Sequence, residues 1–150
     1  MATLRQARTP ADVESARELF AEYMRAVDQP CCFAGFEREL AELPRGYLVV
    51  LLALEAGAPA GCVALREIDR LTAEMKRLYV RAHFRGRGIG RVLAEAAIAA
   101  ARHGGYERIM LDSLPSMHEA LALYRELDFR EVPPYLKEPT PGASCFELRL

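Results

Sequence analysis

The sequence has no long hydrophobic run and no leader-like start. The apolar stretch "YLVVLLAL" at residues 47–54 is only eight residues long, whereas a membrane-spanning helix needs about 20. The first ten residues, "MATLRQARTP", lack the apolar core of a secretory signal peptide. We therefore expect a cytoplasmic protein with no membrane contact.

Patterns typical of metal and nucleic-acid binding are absent too. The four cysteines, Cys31, Cys32, Cys62 and Cys145, form no C-x-x-C pair and no Cys/His spacing of a metal site. Free thiols in a reducing compartment are the simplest interpretation, and no metal is expected. The formal net charge is only −1, so the chain lacks the overall positive field of a nucleic-acid-binding protein.

The remaining composition is that of an ordinary globular protein. Hydrophobic residues make up 51% of the 150 positions, which is enough for one domain with its own core over residues 1–150. The apolar periodicity and the turn residues predict a mixed α/β sheet. Helices are predicted over residues 10–27, 33–43, 90–105 and 117–129, and strands over residues 4–8, 47–54, 60–67, 72–80, 106–113 and 143–150.

Basic residues and glycines are concentrated in one segment, "KRLYVRAHFRGRGIGR" at residues 76–91, which contains six basic residues and no acidic one. Gly86, Gly88 and Gly90 lack a Cβ atom, so the backbone there can turn tightly and approach a ligand closely. Because a helix follows, its unpaired amides and its positive dipole end point into the same turn. The combination favours a phosphate or pyrophosphate site. A Gly-x-Gly motif on its own is as readily a plain connection with solvated arginines.

Motif spacing separates the candidate ligands. A dinucleotide fingerprint would require glycine at position 91, which is arginine, and the P-loop pattern G-x-x-x-x-G-K-[ST] is absent. "RGRGIG" at residues 85–90 resembles the R/Q-x-x-G-x-G/A signature of the GNAT superfamily of acetyl-CoA-dependent N-acetyltransferases, with Arg85, Gly88 and Gly90 at its defining positions. The strand "AEMKRLYV" before it and the segment "ALALYRELDF" after it follow the order of that family. The resemblance covers essentially the whole chain.

The resemblance implies the GNAT acyl-CoA N-acyltransferase fold, an α/β architecture whose central, mostly antiparallel sheet of six to seven strands is flanked by about four helices. It also implies acetyl-CoA as the cosubstrate. Backbone amides of the turn would bind its pyrophosphate, with contributions from Arg85, Gly86, Arg87, Gly88, Ile89, Gly90 and Arg91. The preceding strand end, formed by Leu78, Tyr79 and Val80, would pair with the pantetheine arm through its backbone.

Two catalytic residues are also implied by the resemblance. Tyr124 matches the tyrosine that protonates the departing CoA thiolate in many GNAT enzymes, although its helical spacing equally suits a core aromatic. Glu74 matches the position that some members use for the base that deprotonates the amine. An ordered water is the alternative base, and an ion pair with Lys76, Arg77 or another cation is the alternative role for Glu74.

Two positions depart from the family pattern. Met117 stands where many members have an asparagine that contacts the pantetheine, so Ser116 or His118 would have to take over that contact. Asp128 stands at a helix end where the family usually has glycine. Aspartate tolerates the left-handed conformation expected there, and no functional change follows from it.

The acceptor amine is expected on the face opposite CoA. Its candidate contacts are Phe33, Phe36, Glu37 and Tyr135, for which helix packing or solvent exposure are the alternatives. The predicted function is N-acetyl transfer from acetyl-CoA to a primary amine of a small molecule, amino acid derivative or peptide, by direct attack in a ternary complex. The alternative is a non-catalytic CoA-binding sensor or regulatory module. No nucleic-acid partner is expected, and a homodimer rests on the resemblance alone.

Overall fold

A seven-stranded mixed sheet organises the chain, and four α-helices pack on it in the computed structural model, which describes residues 2–27, 35–137 and 139–150. The strands are β1 (Thr3–Gln6), β2 (Val49–Glu55), β3 (Ala58–Asp69), β4 (Thr72–Val80), β5 (Arg108–Ser113), β6 (Arg130–Val132) and β7 (Ser144–Arg149). The helices are α1 (Pro10–Ala26), α2 (Phe36–Glu42), α3 (Ile89–His103) and α4 (His118–Glu126), with a short 3-10 helix at Ala82–Phe84.

Strand order in the sheet is β1-β2-β3-β4-β5-β7-β6. Only the β4–β5 pair is parallel, and the other neighbours are antiparallel. The predicted fold class, a mostly antiparallel sheet with about four helices, is therefore confirmed. The three-residue strand β6 and the 3-10 helix were not predicted, because segments this short carry no periodicity.

Local signals explain where the elements begin and turn. Thr9 caps α1 by accepting a hydrogen bond of 3.1 Å from the Asp12 amide, and Pro10 occupies the first helical position. Ala56 and Gly57, both with positive φ, close the predicted hairpin between β2 and β3. Asp128 adopts φ 71 after α4, the left-handed conformation expected of it.

The sheet separates two hydrophobic layers. One side packs against the alanine-rich face of α3 and against Tyr124 of α4. The other side packs against α1, whose Leu19 and Phe20 are fully buried, and against Leu40 of α2. Within the described ranges, every helix is too short or too polar to cross a membrane.

β4 and β5 are paired only near their beginnings. Their register joins Thr72 to Arg108 and Glu74 to Met110, and no pairing continues beyond Glu74. A bulge also interrupts β4: Tyr79 lies opposite Cys62 while Lys76 lies opposite Ala64, so one extra residue is accommodated on β4. The two strands therefore diverge, and we call the resulting gap the split.

Arg77 is the residue at which the bulge forms, and its φ of 61 is unusual for an arginine. Its guanidinium donates two hydrogen bonds to Glu39 of α2, of 3.0 and 2.8 Å. Burial alone would raise the pKa of Glu39, but the hydrogen bonds and charge of Arg77 outweigh it and hold that pKa below its ordinary value of 4.5. The ion pair thus ties α2 to the bulge.

We expect Glu39→Gln to lower the free energy of unfolding by about 2 kcal/mol at neutral pH, because it removes the charge from a largely buried hydrogen-bonded pair. The folded pKa is the lowered one, so the stabilisation is complete above about pH 4.5 and is lost as the pH falls through the folded value. Chemical denaturation of both proteins between pH 7 and pH 3 measures the difference. A difference that stays constant over this range would contradict the pair's contribution.

Candidate active site

A cavity of about 130 Å³ occupies the split. Leu78 of β4 and Tyr124 of α4 reach it from one side of the sheet. Tyr23 and Met24, near the end of α1, reach it from the other side. The cavity therefore connects the two faces of the sheet, which is the arrangement needed for two ligands that approach from opposite sides and meet in the middle.

The strand beyond the bulge presents alternate residues to the two faces. Leu78 and Val80 pack with the layer under α3 and α4, and Tyr79 packs with the layer under α1. Gly61, which pairs with Val80, permits this close approach, since a Cβ atom at Gly61 would lie 2.6 Å from the Tyr79 carbonyl oxygen. On the side of β4 that faces the split, the backbone beyond Glu74 has no partner strand. An extended ligand can add to such an edge.

The glycine turn lies at the end of β4 and leads into α3. Gly86 and Gly88 have φ values of 80 and 79, and a Cβ atom built on either meets nothing within 4 Å. Gly88 is the N-cap of α3 and supplies no side-chain hydrogen bond, so the first amides of that helix, those of Ile89, Gly90 and Arg91, lack a cap. The turn is exposed at residues 85–88. Open space beside uncapped amides is the geometry of an anion site.

The six basic residues of segment 76–91 divide into two groups. Lys76, Arg77 and Arg81 point toward acidic partners, the carboxylates of Glu74, Glu39 and Glu22. Arg85, Arg87 and Arg91 lie at the glycine turn and the start of α3. Within the described residues Arg85 and Arg87 form no ion pair, and Arg91 has only distant partners at 3.7 and 3.8 Å. The arginines of this segment that lack a close carboxylate therefore lie at the glycine turn, and Lys76 has its carboxylate only at 4.0 Å.

The side chain of Arg85 is exposed but folds back onto the protein. Its Nε donates a hydrogen bond of 2.8 Å to the Val80 carbonyl, and its guanidinium stacks 5.8 Å from the centre of the Tyr79 ring. Arg87 lies over the ring of Phe84 at 5.6 Å and stays exposed. Arg85 thus connects the glycine turn to the last residue of β4, and Arg87 is the arginine best placed to meet an anion.

Tyr124 is 6% exposed, and its ring packs against Phe129 and Phe146. Its hydroxyl has no hydrogen-bond partner among the described residues. Every fully enclosed side-chain oxygen or nitrogen of these residues does have a partner, so the Tyr124 hydroxyl is not fully enclosed. The hydroxyl must therefore face the cavity that Tyr124 lines. Burial, with smaller contributions from Tyr23 and Asp112, raises the pKa of Tyr124 above its ordinary value of 10.0. The phenol is thus protonated at neutral pH and able to donate.

Glu74 is fully buried, and partners occupy both of its oxygens. Arg66 donates to Oε1 and the Tyr135 hydroxyl donates to Oε2, each at 2.5 Å, while the Lys76 ammonium lies 4.0 Å from Oε1. Glu74 does not itself line the cavity in the split. Burial and the neighbouring Glu74 carboxylate raise the pKa of Tyr135. The ion pair that was the alternative role for Glu74 is therefore present, and Arg66 is its main partner.

The other candidate acceptor contacts are less central. Phe36 begins α2 and lies against the guanidinium of Arg77, and Glu37 is exposed beside it. Neither is among the described residues that line the cavity. Phe33 lies outside the described residues. Among the described residues, Tyr135 contacts another predicted site residue, Glu74.

Met117, at the start of α4, lines the cavity at the place where the family usually has asparagine. Its sulfur accepts a weak hydrogen bond of 3.6 Å from the Ser113 hydroxyl. Ser116 and His118 are exposed and do not contribute to the cavity wall. Met117 therefore occupies the position of the missing asparagine with an apolar surface.

Two charged residues that the sequence analysis did not select also line the cavity. Lys76 comes from β4 and Asp112 from β5. Lys76 and Asp112 each lie two residues after the last residue of their strand that pairs in the β4–β5 ladder. The parallel register of that ladder places them together, and the register could not be read from the sequence. In the part of the chain that the structure describes, no group of three or more His, Cys, Asp or Glu side chains is arranged to hold a metal ion.

Comparison with known proteins decides the family. The profile of the Acetyltransferase (GNAT) family matches residues 13–129. The chain belongs to the GNAT family. It is an N-acetyltransferase. An uncharacterized N-acetyltransferase of Schizosaccharomyces pombe is 30% identical over 95% of this chain and 91% of its own length. An uncharacterized N-acetyltransferase of Escherichia coli is 28% identical over 82% of this chain and 77% of its own.

Solved structures agree on the fold of this GNAT protein. A GNAT acetyltransferase of Staphylococcus aureus superposes with a TM-score of 0.81 at 16% identity, covering 99% of both chains. The PaiA N-acetyltransferase of Thermoplasma acidophilum, solved in complex with coenzyme A, superposes with a TM-score of 0.77 at 16% identity, covering 100% of this chain and 99% of that one. At these identities the likeness shows the fold alone.

The two signature glycines should differ in their tolerance of alanine. Gly88 has φ 79, so Gly88→Ala places a Cβ atom in the left-handed region at a cost of roughly 1–2 kcal/mol and displaces the turn. Gly90 is helical, and its added Cβ would meet Val80 and Leu123 at 3.7 and 3.9 Å, which is ordinary contact. We expect the rise in melting temperature with CoA to shrink in Gly88→Ala and to persist in Gly90→Ala. Equal responses would contradict the assigned role of the turn.

Proposed function

We propose that this GNAT protein transfers the acetyl group of acetyl-CoA to a primary amine of a small molecule, amino acid derivative or peptide, by direct attack in a ternary complex. The observation that carries the proposal is the cavity in the split, which joins the two faces of the sheet and holds the buried hydroxyl of Tyr124. Its donor side lies beside the glycine turn. A cytoplasmic location is part of the same proposal.

The residues of the donor side fit coenzyme A in charge and in space. The uncapped amides of Ile89, Gly90 and Arg91 and the open turn at Gly86 and Gly88 would bind the pyrophosphate, with Arg87 supplying charge. The unpaired edge of β4 at Leu78, Tyr79 and Val80 would bind the pantetheine arm through backbone hydrogen bonds. Arg85 would hold the glycine turn against the end of β4 through its hydrogen bond to the Val80 carbonyl. When bound, acetyl-CoA supplies an activated acetyl group as a thioester.

Tyr124 would act as the general acid. Its raised pKa keeps the phenol protonated, and its ring is fixed between Phe129 and Phe146. The hydroxyl would donate its proton to the sulfur as the carbon–sulfur bond breaks, so that the thiol rather than the thiolate leaves. Among the described residues, Tyr124 is the tyrosine that is both buried and part of the cavity wall.

Glu74 is the base in this proposal, and Tyr135 is its link to the amine. The carboxylate is buried away from the cavity wall, so a proton reaches it only through a neighbour. Tyr135 does not line the cavity either, so its hydroxyl would accept the proton of the amine through an ordered water while passing its own proton to Glu74. Phe33, Phe36 and Glu37 would contact the outer parts of the acceptor, beyond the cavity.

Adding acetyl-CoA to the purified protein tests the function directly. Binding to the folded state alone stabilises it by about 2.7 kcal/mol when the ligand is at 100 times its Kd, so the melting temperature should rise. Release of free thiol is then followed with a panel of amines. No shift at millimolar acetyl-CoA would exclude the donor assignment, whereas a shift without thiol release from any amine would favour the CoA-binding module.

Tyr124→Phe should lower kcat by about 10²-fold, the usual contribution of a general acid, and leave the CoA-induced rise in melting temperature intact. Glu74→Gln should lower kcat, because it removes the carboxylate that would take up the proton of the amine. Tyr106→Phe is the matched control, because that variant also removes one tyrosine hydroxyl, which binds Glu67 away from the cavity. Unchanged turnover in Tyr124→Phe would refute the acid role, and unchanged turnover in Glu74→Gln would refute the base role.

A further inference from the structure

Lys76 and Asp112 face one another across the split. Glu74 pairs with Met110 in the parallel register, and Lys76 and Asp112 each come two residues later on their strands. Since side chains alternate along a strand, both lie on the same face as Glu74 and Met110. Both line the cavity. They are thus a cation and an anion on opposite walls of one opening.

The face in question is the one covered by α1. Ala73, Met75 and Leu111, which alternate with the two charged residues, belong to the core under α3. Lys76 and Asp112 therefore point away from the donor side, toward the part of the cavity lined by Met24 and Val27. An acceptor that enters from this face meets both charges before it reaches the thioester.

Neither charge is neutralised by a close partner. The Asp112 carboxylate is partly buried, and within the described residues it accepts no hydrogen bond and forms no ion pair. The nearest carboxylate to the Lys76 ammonium is Glu74 at 4.0 Å, whose oxygens already bind Arg66 and Tyr135. No ion pair within 4.0 Å joins Lys76 to Asp112. Unpaired charges inside a cavity cost stability unless a ligand completes them.

The choice of lysine at position 76 is unusual for this chain. The sequence contains 18 arginines and only two lysines, Lys76 and Lys137. The cations nearest to Glu39, Glu22 and Glu74 are all arginines. Lysine presents a compact point charge, whereas arginine presents a broad planar fork. A narrow cavity that must hold one carboxylate suits the former.

We propose that Lys76 and Asp112 bind the two charged ends of a zwitterionic acceptor, a free amino acid whose carboxylate lies at Lys76 and whose ammonium lies at Asp112. This inference rests on the proposed function and narrows it, because peptide amines and polyamines lack a carboxylate beside the reacting nitrogen. Asp112 positions the ammonium next to Tyr135, which it already influences electrostatically. The aliphatic wall formed by Met24, Val27 and Leu136 favours an apolar side chain.

Thiol release from acetyl-CoA is measured with leucine, leucinamide and isoamylamine. These three amines share one side chain and differ at the carboxylate. We expect kcat/KM for leucine to exceed that for each of the other two by at least tenfold. Lys76→Met should abolish this preference, lowering kcat/KM for leucine at least tenfold while that for isoamylamine is maintained or rises. Asp112→Asn should lower kcat/KM for all three amines.

Lys137→Met is the matched control, since it removes the other, exposed lysine and should preserve the preference for leucine. A CoA-induced rise in melting temperature in every variant shows that the fold and the donor side are intact. Thiol release that is equal for the three amines, or a Lys76→Met variant that lowers all three equally, would overturn the inference and leave the proposed function standing. No thiol release from any amine would overturn the proposed function and the inference with it.

Discussion

The site of this GNAT protein depends on the loss of pairing between β4 and β5 after Glu74. Parallel strands in a sheet normally continue side by side. A gap between them therefore requires a feature that separates the strands and contacts that hold them apart. The cause is the extra residue at Arg77, which adopts a positive φ. Two contacts hold the bulge in place. They are the ion pair from Arg77 to Glu39 and the hydrogen bond of 3.3 Å that the Cys62 thiol donates to the Arg77 carbonyl. Without them, closing the strands would fill the cavity.

The basic residues of segment 76–91 differ in their partners on the two sides of the sheet. Cations whose side chains turn toward α1 and α2 are used to fix the frame: Arg77 binds Glu39, and Arg81 binds Glu22 with contacts down to 2.6 Å. Cations at the glycine turn remain available. A net charge of −1 therefore coexists with a local excess of positive charge at the glycine turn. Which arginines are already paired with carboxylates therefore indicates where an anion could bind, and the total number of arginines does not.

Much of the fold could be predicted because its signals are local. The bounds of β4 at Thr72–Val80 match the prediction, and the Thr9 cap and the hairpin at Gly57 are recognised from neighbouring residues. The burial of Glu74 could not be predicted, because its partner Tyr135 is 61 positions away. Lys76 and Asp112 were missed for a related reason, since only the β4–β5 register places them on one opening.

The hydrogen bond from Arg85 to the Val80 carbonyl bears on the family signature itself. The signature accepts arginine or glutamine at this place, and attraction of phosphate does not explain this exchange. Glutamine has no charge, but its amide, like a guanidinium, offers N–H groups. What the two share is the ability to donate to a carbonyl at the end of a strand. In this structure the side chain at position 85 serves as such a donor, which ties the glycine turn to the end of β4.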